Sequence, residues 1–212
     1  NAGGREVIII TDKNVSNYVK FPSWIIKKID AGIITRTNLS DLLRLSLLAS
    51  YGGMWLDSTF YCVGSLDKSP YNGPIFSIKR PDYLHASVAG GMFAGYSLGC
   101  DDDHRRAFAT IRDFFLEYWR RNDFMVDYLL VDYLTVLAQR HDPWIAEAFN
   151  EIQPNNPDCD ELFKILDQPY DEDMWKRLSA HTDLFKLTWK QDFPVEHDGE
   201  KTFYGMLEGI GD

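Results

Sequence analysis

Cysteine is scarce in this sequence: Cys62, Cys100 and Cys159 are the only three in 212 residues. The count is odd and no two stand at metal-ligand spacing. That argues against a disulfide framework and a cysteine zinc site, and it suits a reducing cytoplasm. Positive charge is also in short supply. Lys plus Arg number 22 against 32 Asp plus Glu, a formal charge of −10. No Lys/Arg-rich run exists, and a nucleic-acid footprint needs clustered positive charge, so no nucleic-acid partner is expected. An anionic membrane is disfavoured for the same reason, leaving peripheral contact through a local patch. No stretch of 18 apolar residues is present, so no transmembrane segment is expected. Neither a secretory signal, an internal repeat nor a low-complexity block is visible. The chain opens Asn1-Ala2-Gly3-Gly4 and not with Met, the pattern of a trimmed or incomplete N-terminus.

What is present is an ordinary globular balance, with 45% hydrophobic and 25% charged residues. The length suits one domain able to bury a sizeable core without staples. Residues 1–191 are expected to form that domain, and the Gly- and acid-rich residues 192–212 a loop or tail. The 13 Phe, 11 Tyr and 6 Trp suit a deep core or a site that stacks on rings. Val7-Ile8-Ile9-Ile10, ended by Thr11-Asp12, reads as a buried parallel strand. Phe21 to Ile29 reads as a short helix with Pro22 in its first turn. A stronger helix is predicted over Asp41 to Ser50, capped by Asn38 or Ser40 and closed by Gly52-Gly53. Met54-Trp55-Leu56 follows as a strand, with further strands at Pro74–Ile78 and Ser87–Phe93. Phe108, Ile111, Phe115, Tyr118 and Trp119 recur at helical steps from Ala107 onward. Further helices are predicted at Val126–Gln139, Glu161–Leu166 and Asp173–Ser179, and a last strand at Phe185–Trp189. Strands first and helices later, with β-α-β at the front, argue for an α/β domain.

The stretch from Ser40 to Thr59 carries the most chemistry. Asp41 and Arg44 are three apart and share a helix face, where a surface ion pair competes with a binding role. Asp57 ends an apolar strand, the edge at which open α/β sheets place ligands, and a carboxylate there can hold a divalent cation. A turn-bonding Asp explains it equally well. Lys186 and Lys190 are either two solvated lysines or cations for a phosphate. Asp127 sits near a helix start. Asp132, Thr135 and Gln139 make one polar stripe, most simply facing solvent. The run Asp101-Asp102-Asp103-His104 directly precedes a helix and reads as a cap and not a metal site. His85, His141, His181 and His197 show no ligand spacing.

The string Ser40-Asp41, Arg44, Tyr51-Gly52-Gly53, Trp55-Leu56-Asp57 and Thr59 resembles the capsular polysaccharide synthesis protein family. That family is a branch of the DXD-containing, glycosyltransferase family 32-like enzymes. The resemblance continues in Asp127-Tyr128 through Asp132-Tyr133, in Pro154-Asn155-Asn156-Pro157 with Cys159, and in Lys186–Lys190. It implies a GT-A-like nucleotide-sugar fold, here expected without its first strand and helix. It implies transfer of a sugar, with retention of configuration, from a nucleoside diphosphate sugar to a growing bacterial surface glycan or its lipid-linked precursor. A UDP-sugar is the expected donor, and the inner face of the membrane the expected place. Asp41 and Arg44 match donor-contacting positions, and Lys186 and Lys190 are expected at the diphosphate. Asp57 matches the first carboxylate that holds manganese or magnesium, and Thr59 stands where the second would be. A hydroxyl there weakens metal affinity, so metal-assisted and metal-independent chemistry both stay open. By a weaker similarity to retaining GT-A enzymes, Asp127 is the first choice for a sugar-contacting or catalytic group and Asp132 the second. Two rivals remain. One is a non-catalytic glycan- or nucleotide-binding domain derived from a transferase. The other is a phosphohydrolase with Asp57 as nucleophile, which Thr59 disfavours.

Overall fold

The computed structural model describes residues 4–82 and 87–209; His85 lies outside them. In chain order the helices and strands begin with α1 (Val15–Tyr18), α2 (Ser23–Asp30) and α3 (Arg36–Tyr51). Next come β1 (Gly53–Leu56), β2 (Phe60–Cys62), β3 (Ile75–Ser77) and β4 (Ser97–Cys100). The helices α4 (Arg105–Arg121), α5 (Leu130–His141) and α6 (Pro143–Asn150) follow, then a 3-10 turn at Leu162–Ile165 and α7 (Glu172–Ser179). The chain closes with β5 (Leu184–Lys186), β6 (Glu196–His197), β7 (Glu200–Lys201) and α8 (Phe203–Glu208). The fold is mixed α/β, as expected. It divides into two units. One holds residues 6–55 and 68–153, the other residues 56–67 and 154–212 with the first five residues.

In the larger unit a three-stranded sheet has the order β1-β4-β3. β3 and β4 are antiparallel, with Ile75 opposite Cys100 and Ser77 opposite Leu98. Both strands are fully buried. The predicted amphipathic helix is α4, and it turns Phe108, Ile111, Phe115 and Trp119 into the core beside Leu42, Leu45 and Leu48 of α3. Lys28 from α2 closes the C-terminal end of α4: its ammonium donates to the Trp119 carbonyl and, at 2.7 Å, to that of Asn122. A cation there satisfies orphan carbonyls and meets the negative end of the helix dipole.

Several expectations change. α3 begins at Arg36 and not at Asp41, because Thr35 and Asn38 form a capping box upstream. Asn38 is thus inside the helix, and Asp41 stands in its second turn. Val7–Ile10 forms no strand; Val7 and Ile9 are 69% and 76% exposed. A buried parallel strand needs neighbours on both edges, and no described strand pairs with this run. Residues 87–93 turn, and the strand comes later, at β4. The helix predicted from Val126 starts at Leu130. Asp101 does not cap α4, whose N-cap is His104; its carboxylate holds the turn just before the helix, accepting from the His104 backbone amide at 2.9 Å.

In the smaller unit β2 and β5 pair antiparallel, with Phe60 opposite Lys186 and Cys62 opposite Leu184. A second core gathers Leu162, Leu166, Leu178, Phe185 and Phe203. Phe203 belongs to the region predicted as loop, which instead folds as the β6–β7 hairpin and α8. Phe203 is buried in that core, and Phe193, Tyr204 and Leu207 pack against it from the same segment. The Thr202 hydroxyl caps α8 by accepting from the Gly205 amide at 3.0 Å. Gly205 lies so close to the Val195 carbonyl that a Cβ would collide with it. Gly205→Ala is therefore expected to destabilise by about 1–3 kcal/mol, the usual cost of overpacking. A lowered midpoint in urea denaturation checks this; an unchanged midpoint contradicts it.

Candidate active site

The larger unit brings three of the candidate residues together. Asp41 and Arg44 lie one turn apart on α3, and the Arg44 Nη2 to Asp41 Oδ1 distance is 3.1 Å. Both are almost fully buried, at 5% and 6% exposure. Arg44 also donates through Nη1 to the Gly95 carbonyl and sits 5.6 Å from the centre of the Trp55 ring. Asp132, in the first turn of α5, is equally buried at 6%. A Cβ on Gly95 would lie 3.0 Å from Asp132 Oδ1 and 3.5 Å from Arg44 Nη1. The missing side chain of Gly95 is thus what lets carboxylate and guanidinium approach the same stretch of backbone.

The stripe of Asp132, Thr135 and Gln139 therefore does not face solvent. Asp132 and Thr135 are buried, and Tyr133, Leu137 and Arg140 take the outer face. Inside, Thr135 donates to the Val131 carbonyl at 2.8 Å, and Asp132 lies beside Arg44. Burial, with the neighbouring Asp41 charge adding to it, pushes the Asp132 carboxyl up from 3.8 to about 6; Arg44 opposes the rise and Asp127 adds to it. A carboxyl tuned this way titrates near neutral pH, where it can give and take protons. Asp127 is exposed, in the turn before α5, where its Oδ1 accepts from the Leu129 amide at 2.7 Å. Gly95 and Trp55 complete the cluster. Trp55 belonged to the recognised string, but Gly95 had no signal of its own in the sequence.

The smaller unit holds the other candidates. Asp57 follows β1 directly, half-buried, and its carbonyl accepts from the Phe60 amide at 3.1 Å. Thr59 lies beside β5: its carbonyl accepts from the Leu187 amide at 2.8 Å, and its hydroxyl accepts from the Lys186 ammonium. That ammonium also stands 5.7 Å from the Phe60 ring centre. Lys190 lies beyond the strand and is exposed, with its amide donating to the Thr188 hydroxyl at 3.1 Å.

This arrangement does not fit a manganese or magnesium ion held by Asp57 and Thr59. Magnesium sits about 2.1 Å from its oxygen ligands. An ion on the Thr59 hydroxyl would meet an ammonium already bonded to that oxygen, a like-charge neighbour that disfavours it. Among the described residues no group of three or more His, Cys, Asp and Glu side chains is placed to hold a metal. Two of the three thiols offer no alternative. Cys100 and Cys159 are buried, and burial with the Asp101 charge pushes Cys100 up to about 12, far from a reactive thiolate.

The chain belongs to the capsular polysaccharide synthesis protein family, whose model matches residues 1–207. No curated protein and no solved structure matches it. The family's role is capsular polysaccharide synthesis. No described helix is long and apolar enough to cross a membrane.

Proposed function

We propose that this chain is a glycosyltransferase. It moves a sugar from a nucleoside diphosphate sugar, a UDP-sugar in the first instance, to a glycan or lipid-linked acceptor in capsule synthesis. The proposed outcome is retention of anomeric configuration. The observation that carries this reading is the burial of Asp132 beside Arg44 and Asp41. Three ionised groups out of water are expensive unless paired, and such clusters with a displaced carboxyl occur preferentially at functional sites.

In the larger unit, Arg44 is held by Asp41 and the Gly95 carbonyl, so it is oriented before any donor arrives. Preorganised positive charge of this kind stabilises the charge that develops on a leaving diphosphate. Asp132, half-protonated near pH 6, is suited to contact the donor sugar and to exchange a proton there. In the smaller unit, Lys186 supplies at Thr59 the positive charge for which the family motif uses a metal. The peptide ladder of β2 and β5 fixes its position. Manganese or magnesium would then be dispensable.

The test is release of UDP from a panel of UDP-sugars in the presence of a lipid-linked glycan fraction, with the anomer of the product read by NMR. Arg44→Lys keeps the charge but not the planar fork that reaches Asp41 and Gly95 together. It is expected to lower the rate by about 10²–10³-fold, the usual loss for one preorganised donor. Unchanged turnover in Arg44→Lys would remove the cluster from the mechanism. Binding of UDP or glycan with no turnover on any donor would favour the non-catalytic reading.

A further inference from the structure

Within the smaller unit a cleft of about 410 Å³ opens beside the segment after β5, and none of the roles above uses it. Its walls are Tyr61, Trp189, Phe193 and Tyr204, with Gln191, Asp192 and Glu208 among the polar groups at its edges. Trp189 is 79% exposed, an unusual position for the largest apolar side chain. Phe193 and Tyr204 stand 5.9 Å apart, ring centre to ring centre, so the cleft has an aromatic floor. The Tyr204 hydroxyl is held by Glu208 at 2.6 Å.

The lining residues include no Lys or Arg. An anionic ligand such as a diphosphate or a nucleic acid would meet the carboxylates of Asp192 and Glu208 and no cation in that lining. A neutral polyhydroxylated ring finds two suitable surfaces instead. Its C–H faces stack on flat aromatic rings, and its hydroxyls donate to carboxylates and exchange bonds with an amide and the Thr188 hydroxyl. We infer that this cleft is a glycan-binding site that takes neutral hexose or N-acetylhexosamine chains, with Trp189 as its stacking platform. The choice of ligand class rests on the transferase reading; the site itself rests on the lining chemistry.

The experiment uses the full chain, fluorescently labelled, on an array of immobilised neutral oligosaccharides and uronic-acid-rich oligosaccharides. Retention of at least one neutral oligosaccharide is expected, weakened at least tenfold by Trp189→Ala and only a few-fold by Trp189→Phe. Because Trp189 is exposed, both variants should keep the wild-type circular dichroism, which is recorded alongside. Excess UDP should not displace the glycan. Retention of no neutral oligosaccharide, preference for the uronic-acid chains, equal binding by Trp189→Ala, or displacement by UDP each overturns the proposal. UDP binding followed separately by melting temperature tells its failure from that of the transferase reading. If UDP binds and glycans do not, only the cleft is lost.

Discussion

Asp132→Asn should abolish sugar transfer while making the protein more stable above neutral pH. Positioned acid–base groups contribute about 10²–10⁴-fold, so a loss of that size in kcat is expected. The wild-type rate should also show a limb with an apparent pKa near 6, the value to which burial and Asp41 push this carboxyl; the variant should lack it. The stability change has the opposite sign because the folded pKa lies above the unfolded one. Between about pH 4 and pH 6 the native state binds more protons than the unfolded chain, so stability falls as pH rises through that window. Above it the wild type carries the full cost of a buried carboxylate, on the order of 3 kcal/mol for a shift from 3.8 to about 6. Asn has no charge to bury. Its advantage should be greatest near pH 8 and fade towards pH 4, as read from urea denaturation at several pH values. An Asn variant that is both inactive and less stable at pH 8 would mean that the carboxylate holds the fold together, and the catalytic assignment would fall.

UDP should bind in the presence of EDTA. At ~100 times its dissociation constant a ligand adds about 2.7 kcal/mol of stability, a rise of roughly 5–10 °C in melting temperature for a chain of this size. Manganese should add little to that rise, because the Lys186 ammonium already occupies the Thr59 hydroxyl. Lys186→Met removes a charged hydrogen-bond donor worth about 1.5–3 kcal/mol, which corresponds to a UDP affinity lowered by roughly 10–150-fold. Lys190→Met, at an exposed position beyond the strand, is the comparison that should change affinity least. A UDP shift that appears only with manganese, and survives Lys186→Met, would reinstate the Asp57–Thr59 metal site. No shift from any nucleotide under either condition would count against donor binding altogether.

Much of this protein was legible in local sequence. The spacing of Phe108, Ile111, Phe115 and Trp119 declares α4, because the helical period is a property of neighbouring residues. Pro22 at the edge of α2 and the Gly52-Gly53 stop after α3 are equally local, and both glycines adopt positive φ at that turn. The pairing of Asp41 with Arg44 follows from a three-residue step on one helix. The strand-end position of Asp57 is likewise visible in the apolar run before it.

Tertiary structure decided the rest. Asp132 on a polar stripe has the pattern of an outward face, and only the packing of α5 against α4 and α6, with Arg44 close by, turns that stripe inward. No local period distinguishes a solvated carboxylate from one buried beside a guanidinium. Gly95 is a single glycine until the Asp132 and Arg44 side chains crowd its backbone. Lys186 meets Thr59 across 127 residues of chain, a register set by the β2–β5 ladder and by nothing near either residue. Phe203, Tyr204 and Leu207 draw a Gly- and acid-rich C-terminal stretch into a helix because a core is there to receive them. The sequence by itself determined which residues can carry charge, and which segments can coil. Which charges are brought together out of water was left to tertiary structure, because desolvation depends on what packs above a residue and not on what stands beside it in the chain.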